Sequence, residues 1–340
     1  MNAVEVIDGG MLTTVQDLGR YGYQRYGVPT SGALDVFSLR VANRLVGNPD
    51  AAAGLEVTLI GPRLKFLVPA SIALTGADLG ARLDGQPLPR WQSALVDAGA
   101  TLSFGDSLDG MRAYLAVAGG IDVPVVLGSR STYTRSKLGG VEGRPLKAGD
   151  VLQILGERPV LLGGARRMPE SIRPEYGHSH TVRVVLGPQE DRFSASGIET
   201  FVSSTYTVAP QSDRMGYRLT GPTIEHLRGP DIVSDGTPFG AVQVAGDGVP
   251  IVLLADRGTA GGYTKIATAI GPDLPRLAQA LPGDTVRFVR VDLEAAYEAV
   301  REQERQIESI AAAGPETGRG KLVKVAAAVA AVAAGSRDRV

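Results

Sequence analysis

Four polar clusters interrupt the apolar pattern of the chain, and each sets an arginine beside hydroxyl, amide or carboxylate groups and a glycine. They are Thr13-Thr14-Val15-Gln16-Asp17-Leu18-Gly19-Arg20, Gly128-Ser129-Arg130-Ser131-Thr132, Ser212-Asp213-Arg214-Met215-Gly216-Tyr217 and the run from Asp256-Arg257-Gly258-Thr259-Ala260 through Gly261-Gly262-Tyr263-Thr264-Lys265. A guanidinium fork matches carboxylate or phosphate oxygens in pairs. Glycine beside it lets backbone N–H groups approach an anion closely. The combination suits an anionic ligand. An Asp–Arg pair at a strand end can equally serve only to fix a loop, but the recurrence of the pattern, twice in corresponding places, favours a site.

Other chemistries find little support. The chain has no cysteine, which excludes disulfides, thiolate metal sites and a cysteine nucleophile. His178 and His180 form an H-x-H pair without a third ligand nearby in the sequence, so no metal site is expected. His226 and Trp91 read as structural. There is no G-x-x-x-x-G-K-[ST] loop, no G-x-G-x-x-G after a strand, no G-x-S-x-G and no H-E-x-x-H.

The elements that must carry the clusters are mostly strands. The chain of 340 residues holds 44 glycines and 21 prolines with only 5% aromatics, a composition of short strands and tight turns. Strand patterns run through Val4–Ile7, Leu64–Val68, Ala113–Val117, Val151–Ile154, Val182–Leu186 and Val286–Val291. Leu34, Phe37, Val41, Ala42 and Leu45 recur at spacings of three and four, which predicts a helix over 32–46 with Ser31 as its cap. A short helix is predicted over 272–281 and a charged one over 292–312. Residues 163–180, polar, basic and broken by Pro169 and Pro174, read as a linker between residues 1–162 and 181–312. The tail 313–340 is low in complexity and is expected to be poorly ordered.

The halves look like distant copies. Gly110 to Val117 precedes Gly128-Ser129-Arg130, as Gly248 to Ala255 precedes Asp256-Arg257-Gly258, and Leu146-Lys147-Ala148-Gly149-Asp150 closes one half as Leu281-Pro282-Gly283-Asp284 closes the other. The formal net charge of −1 gives no global field to recruit nucleic acid or an anionic membrane. No signal peptide or bilayer-length apolar run is found, so the cytoplasm is the expected compartment.

The clusters, together with Gly27-Val28-Pro29-Thr30-Ser31-Gly32-Ala33-Leu34-Asp35, Tyr114 to Pro124 (YLAVAGGIDVP) and Ser212 to Leu219 (SDRMGYRL), resemble the biotin-dependent carboxyltransferase-like family of the 5-oxoprolinase C-type subunits, also called KipA or allophanate hydrolase subunit 2. The resemblance spans about 4–300. It implies a mostly β fold of two cyclophilin-like β-barrel halves. It also implies two partner proteins, one KipI-like and one LamB/YcsF-like, which with this chain and ATP open 5-oxo-L-proline to L-glutamate through a phosphorylated lactam. Catalytic candidates on the matching motifs are Arg130, Asp213, Arg214, Arg257 and Lys265. Substrate- or phosphate-binding candidates are Gln16, Asp17, Arg20, Ser31, Asp35, Ser131, Thr132, Ser212, Gln243, Thr259, Gly261 and Gly262. Family members commonly read Q-T-T-G-G-Y where this chain has Gly258-Thr259-Ala260-Gly261-Gly262-Tyr263, and V-Q-V-P where it has Val242-Gln243-Val244-Ala245. Two alternatives stand beside this reading: a carboxyltransferase module of a biotin-dependent urea carboxylase, its biotin carried by a separate protein, and a non-enzymatic partner of a KipI-like kinase inhibitor.

Overall fold

The computed structural model describes residues 3–155 and 165–312, without the side chains of the last two. The tail thus lies outside the described residues.

In the first half, Ala3–Asp8 pairs on one side with Arg63–Phe66 and on the other with Val151–Ile154 in a seven-stranded sheet. A five-stranded sheet has Asp109–Val117 at its centre, between Gly54–Thr58 and Ala70–Asp78, with Leu12–Gln16 and Gln92–Val96 at its edges. Strand side chains alternate between faces, and the inward sets of both sheets, among them Val4, Val6, Leu64 and Phe66 with Leu55, Ile72, Leu74 and Leu115, fill one core.

In the second half seven strands close into a barrel. Ser179–Leu186 runs parallel to Thr285–Arg290 and antiparallel to Ala260–Ala269, and Thr205–Val208, Gly216–Thr220, Pro250–Leu253 and Ala241–Val244 complete the ring. Closure removes sheet edges. One strand, Asp231–Gly236, projects beyond the ring and pairs only with Ala260–Ala269. The expected mostly β class is what the chain adopts.

The matching phrases occupy matching places in part. Pro250–Leu253 is flanked on both sides in its sheet, as Asp109–Val117 is in its own. The closing turns are alike: the Asp150 carboxylate accepts from Lys147 N at 2.9 Å and that of Asp284 from Leu281 N at 2.8 Å. Gly149 and Gly283 precede these aspartates at φ 88° and 96°. The strands that follow differ, Val151–Ile154 being antiparallel to its neighbour Ala3–Asp8 and Thr285–Arg290 parallel to Ser179–Leu186.

Helix α1, Val36–Val46, begins four residues later than its periodicity predicts. Ser31 does not cap it, having a φ of 51°. Asp35 does, accepting from Ser38 N at 2.8 Å and Ser38 Oγ at 2.7 Å. Helix α2, Ala195–Ser203, is absent from the sequence pattern: Gly197 and the β-branched Ile198, Thr200 and Val202 weaken its intrinsic propensity. Packing decides it, with Phe201 stacked on Phe288 at 4.6 Å between ring centroids. Helix α3 is Leu274–Gln279, and α4 is Leu293–Ala312.

Of the expected linker, the described part is largely exposed but is anchored on the body through the buried Met168 and Tyr176. Met168 N donates to Trp91 O at 2.9 Å, the Met168 side chain is buried, and Ser179 and His180 already belong to a strand. Helix α4, although it follows the second barrel, packs on the first half. Ile307 and Ile310 join Phe37, Val41 and Leu45 of α1 in one cluster, and Arg40 donates to both oxygens of Glu304 at 2.6 and 2.7 Å. Among the described residues no helix is long and apolar enough to cross a membrane.

Candidate functional site

The first two polar clusters meet in the first half. Asp17 ends the strand Leu12–Gln16, and its carboxylate accepts from Gly19 N at 2.8 Å, Ser129 Oγ at 2.7 Å, Arg130 N at 2.6 Å and Ser131 Oγ. Gln16 donates to Thr132 O at 3.1 Å, while Thr132 Oγ1 donates to Val15 O at 2.9 Å. Apart from Gln16 Oε1, which has no hydrogen-bond partner among the described residues, these groups bond one another and hold the loop 128–132 against the strand end. The Arg130 guanidinium turns to Val123 O at 3.0 Å and Asp122 at 3.6 Å, away from the other clusters.

The third cluster crosses to the first half. The Asp213 carboxylate accepts from Met215 N at 2.7 Å, and this turn aims Arg214 over the seam. Ser212 lies beside it, 3.4 Å from Arg218 O. Arg214 reaches Asp256 at 2.9 and 3.2 Å, Gly32 O at 2.7 Å, and Glu56. Ser31 Oγ donates to Asp256 at 2.7 Å. Glu56 also accepts from Leu34 N at 2.9 Å and Tyr114 OH at 2.7 Å. Gln279 of α3 donates to Asp35 at 2.9 Å and accepts from Met111 N and Arg112 N at 3.0 and 2.8 Å. All of these side chains in the knot are buried, so Arg214, Ser31 and Asp35 sit in a polar network that joins the halves.

Burial pushes Glu56 upward, but Arg214, Arg112 and the donors from Leu34 and Tyr114 outweigh it and hold the carboxyl below its usual value. A carboxyl with a depressed folded pKa stabilises the fold above its unfolded pKa, and that contribution disappears as pH falls through the folded one. Urea unfolding measured from neutral pH downward should therefore show a Glu56 contribution that is level above about pH 5 and declines below about pH 4. Glu56→Gln should flatten that acid limb; an unchanged limb would contradict the assignment.

Two other arginines at the seam are differently placed. Arg20 N donates to Thr30 O at 2.7 Å, and its Nη2 donates to Ser131 O. Arg257 donates from Nε to Thr237 O at 2.6 Å and from Nη1 to Leu254 O at 3.1 Å and Thr30 Oγ1 at 3.4 Å. Burial lowers the pKa of both, that of Arg257 to about 10.

The rest of the fourth cluster lies at the start of the strand Ala260–Ala269. Gln243 and Lys265 are register partners on neighbouring strands, and Lys265 Nζ lies 3.2 Å from Asp235 of the projecting strand. A Cβ at Gly261 would stand 2.6 Å from Gln243 Nε2, so a side chain there would have to displace the end of Gln243. Gly262 follows along the same strand, and Thr259 O accepts from Thr237 N at 3.2 Å. The family departure at Gly258 is sterically free: φ is not in the left-handed region, and the nearest atom to an added Cβ is 3.4 Å away. Gly258→Gln should leave stability within about 0.5 kcal/mol by thermal unfolding, and a larger loss would show that the loop demands glycine.

The structure thus brings Arg20, Ser31, Arg214 and Arg257 to one seam, joins Gln16, Asp17, Ser131 and Thr132 behind Arg20, and sets Gln243, Thr259, Gly261, Gly262 and Lys265 along the barrel rim. Arg130, Ser212 and Asp213 serve turns. His178 and His180, read as lacking a further ligand, both contact the Asp284 carboxylate, at 2.8 and 3.2 Å. Sequence reasoning missed Thr30, Glu56, Arg112, Tyr114, Thr237 and Gln279. Glu56 carried a usable signal, since it is the lone charge of its strand, and Arg112 a weaker one in a run that is apolar from Met111 to Val117 but for itself and Tyr114; both are buried.

Residues 26–290 match the family described as carboxyltransferase domain, subdomain A and B. The chain is 40% identical to the C subunit of 5-oxoprolinase from Escherichia coli, over 91% of this chain and 97% of that protein. It is 37% identical to urea amidolyase of Saccharomyces cerevisiae, over 91% of this chain but 18% of that much longer protein. The crystal structure of Kluyveromyces lactis urea carboxylase superposes with a TM-score of 0.85 at 34% identity, covering 91% of this chain and 29% of that one. With most of its length inside the family match and a near end-to-end likeness to a free-standing subunit, the chain belongs to the carboxyltransferase-domain family that includes the C subunit of 5-oxoprolinase.

Proposed function

We propose that the chain works as the C-type subunit of an ATP-dependent 5-oxoprolinase in the cytoplasm, together with a KipI-like protein and a LamB/YcsF-like protein. The observation that carries this reading is the likeness to a subunit of that enzyme over 97% of the relative's length. The chemistry fits a site rich in buried cations. A five-membered lactam is a poor electrophile, and phosphorylation of its oxygen makes it a good one. The lactam oxygen bonds to the γ-phosphorus of ATP while the bond to the ADP oxygen breaks. Water then adds to the activated carbon, the ring C–N bond breaks with the nitrogen taking a proton, and hydrolysis of the acyl phosphate gives L-glutamate and phosphate. Every step develops negative charge on oxygen, which positioned N–H donors stabilise. Arg20 and Arg257 at the seam, and Lys265 on the rim, supply such donors in this chain.

The three proteins, purified together, should release glutamate from 5-oxo-L-proline only when ATP is present; an intact complex that releases none overturns the reading. A second reading rests on the 37% identity to urea amidolyase, in which the chain would act as the carboxyltransferase module of a biotin-dependent urea carboxylase. Transfer of carboxylate from a carboxylated biotin carrier protein to urea would support it over the first.

A further inference from the structure

We propose that the base of the loop between Arg20 and Thr30 is an oxyanion subsite, in which Arg20 and Arg257 hold a carboxylate or phosphoryl group at the seam. The case begins with charge pairing. Among the described residues, Arg20, Arg112, Arg214 and Arg257 are the buried arginines. Arg112 and Arg214 share Glu56, and Arg214 also takes Asp256. Arg20 and Arg257 have no described carboxylate within ion-pairing distance, although they are only 0% and 5% exposed. Asp17 and Asp256 act on Arg20, and Asp256 on Arg257, only from beyond ion-pairing distance, and a buried cation with no carboxylate at contact is costly unless a guest completes it.

The carboxylates that could have neutralised them are held elsewhere. Asp17 is occupied by Ser129, Ser131 and backbone N–H groups, and Asp256 by Arg214 and Ser31. What Arg20 and Arg257 do contact is neutral: Ser131 O for the first, and Thr237 O, Leu254 O, Thr30 Oγ1 and the face of the Phe239 ring for the second. Arg20 Nε and Nη1 donate to nothing among the described residues. The Arg20 backbone N donates to Thr30 O and the Arg257 guanidinium to Thr30 Oγ1, so Thr30 neighbours both residues.

Access comes from the loop itself. The bond from Arg20 N to Thr30 O closes its base, and Tyr21 and Tyr26 on it are 69% and 66% exposed. Gly22 and Gly27 bracket the tip at φ 90° and 80°, with nothing within 4 Å of an added Cβ. The tip between these glycines therefore carries no core residue that a guest at the base would displace.

The identity of the natural anion rests on the 5-oxoprolinase reading; the binding of an oxyanion does not, and it is measured without turnover. The full chain is melted at constant chloride ionic strength with inorganic phosphate, 5-oxo-L-proline, or 2-pyrrolidinone, its uncharged lactam counterpart. Phosphate or 5-oxo-L-proline should raise Tm by several degrees and 2-pyrrolidinone should not. A response to phosphate alone assigns the subsite to a phosphoryl group, and a response to 5-oxo-L-proline alone assigns it to the substrate carboxylate. Arg20→Met and Arg257→Met should each weaken binding about tenfold or more, while the ligand-free Tm holds or rises because an unpaired charge has been replaced by apolar volume. Arg218→Met, at an exposed position on the barrel, should keep the full response. Arg20→Lys and Arg257→Lys cover a methionine variant that does not fold, and each should weaken binding severalfold because a single ammonium cannot reproduce the fork. No stabilisation of the wild type by either anion, or undiminished binding in the folded variants at both positions, overturns the proposal.

Discussion

Arg214→Leu is expected to cost about 3–5 kcal/mol of unfolding free energy. The guanidinium bonds Asp256 at 2.9 and 3.2 Å, Gly32 O at 2.7 Å, and Glu56. Leucine would leave the Asp256 carboxylate buried with Ser31 Oγ as its remaining side-chain donor, while Glu56 would keep Tyr114 OH, Leu34 N and the more distant Arg112 at 3.9 Å. Breaking a buried ion pair from one side costs far more than the pair is worth, because the surviving charge has lost both water and partner. Urea unfolding of Arg214→Leu reads the loss directly. Combining it with Asp256→Asn should restore part of the stability, since the stranded Asp256 charge is then gone while Glu56 keeps Arg112. A loss below about 1 kcal/mol for the single variant would mean that water reaches the knot and screens it.

Gly139→Ala should cost about 2–5 kcal/mol and disturb the seam as well. Gly139 has φ 70°, and its added Cβ would overlap Ser131 O and lie 2.7 Å from Arg20 Nη2. The left-handed backbone alone costs a Cβ-bearing residue about 1–2 kcal/mol. The clash adds a further overpacking penalty of about 1–3 kcal/mol. Gly128→Ala separates the two contributions, because Gly128 has φ 77° but nothing within 4 Å of an added Cβ. It should lose only the backbone share, and only Gly139→Ala should also weaken anion binding through displacement of Arg20. Equal losses in the two variants by thermal unfolding would refute the argument from contact.

Much of this was legible in the residues. Short alternating runs such as Val4-Glu5-Val6 and Leu64-Lys65-Phe66 place their apolar members in the core, as a half-buried strand must. The helix at 36–46 followed from its spacing, while its start did not, because Asp35 and Ser31 are both good caps and only the backbone at Ser31, left-handed, decides between them. Helix α2 was illegible for the opposite reason: its residues prefer other conformations, and the Phe201–Phe288 contact overrides them. The clusters around Arg20, Arg214 and Arg257 stood out in the chain as Arg–Gly–hydroxyl groupings. What they could not reveal was the division of labour among them. Arg214 is consumed by two carboxylates, one of which, Glu56, lies 158 positions away in sequence, while Arg257, directly after Asp256 in the chain, is left without any. Pairings over such separations are set by how the halves pack, and no local pattern encodes them.

Helix α4 leaves the second barrel and ends against α1 of the first half, fastened by Arg40–Glu304 and by Ile307 and Ile310. The two halves are in consequence belted together on a side of their own, independently of the knot around Arg214. A jaw-like parting would have to break both fastenings at once. Under the proposed function, guests enter and leave the seam by movement of surface segments, and turnover should proceed with the overall dimensions of the protein unchanged.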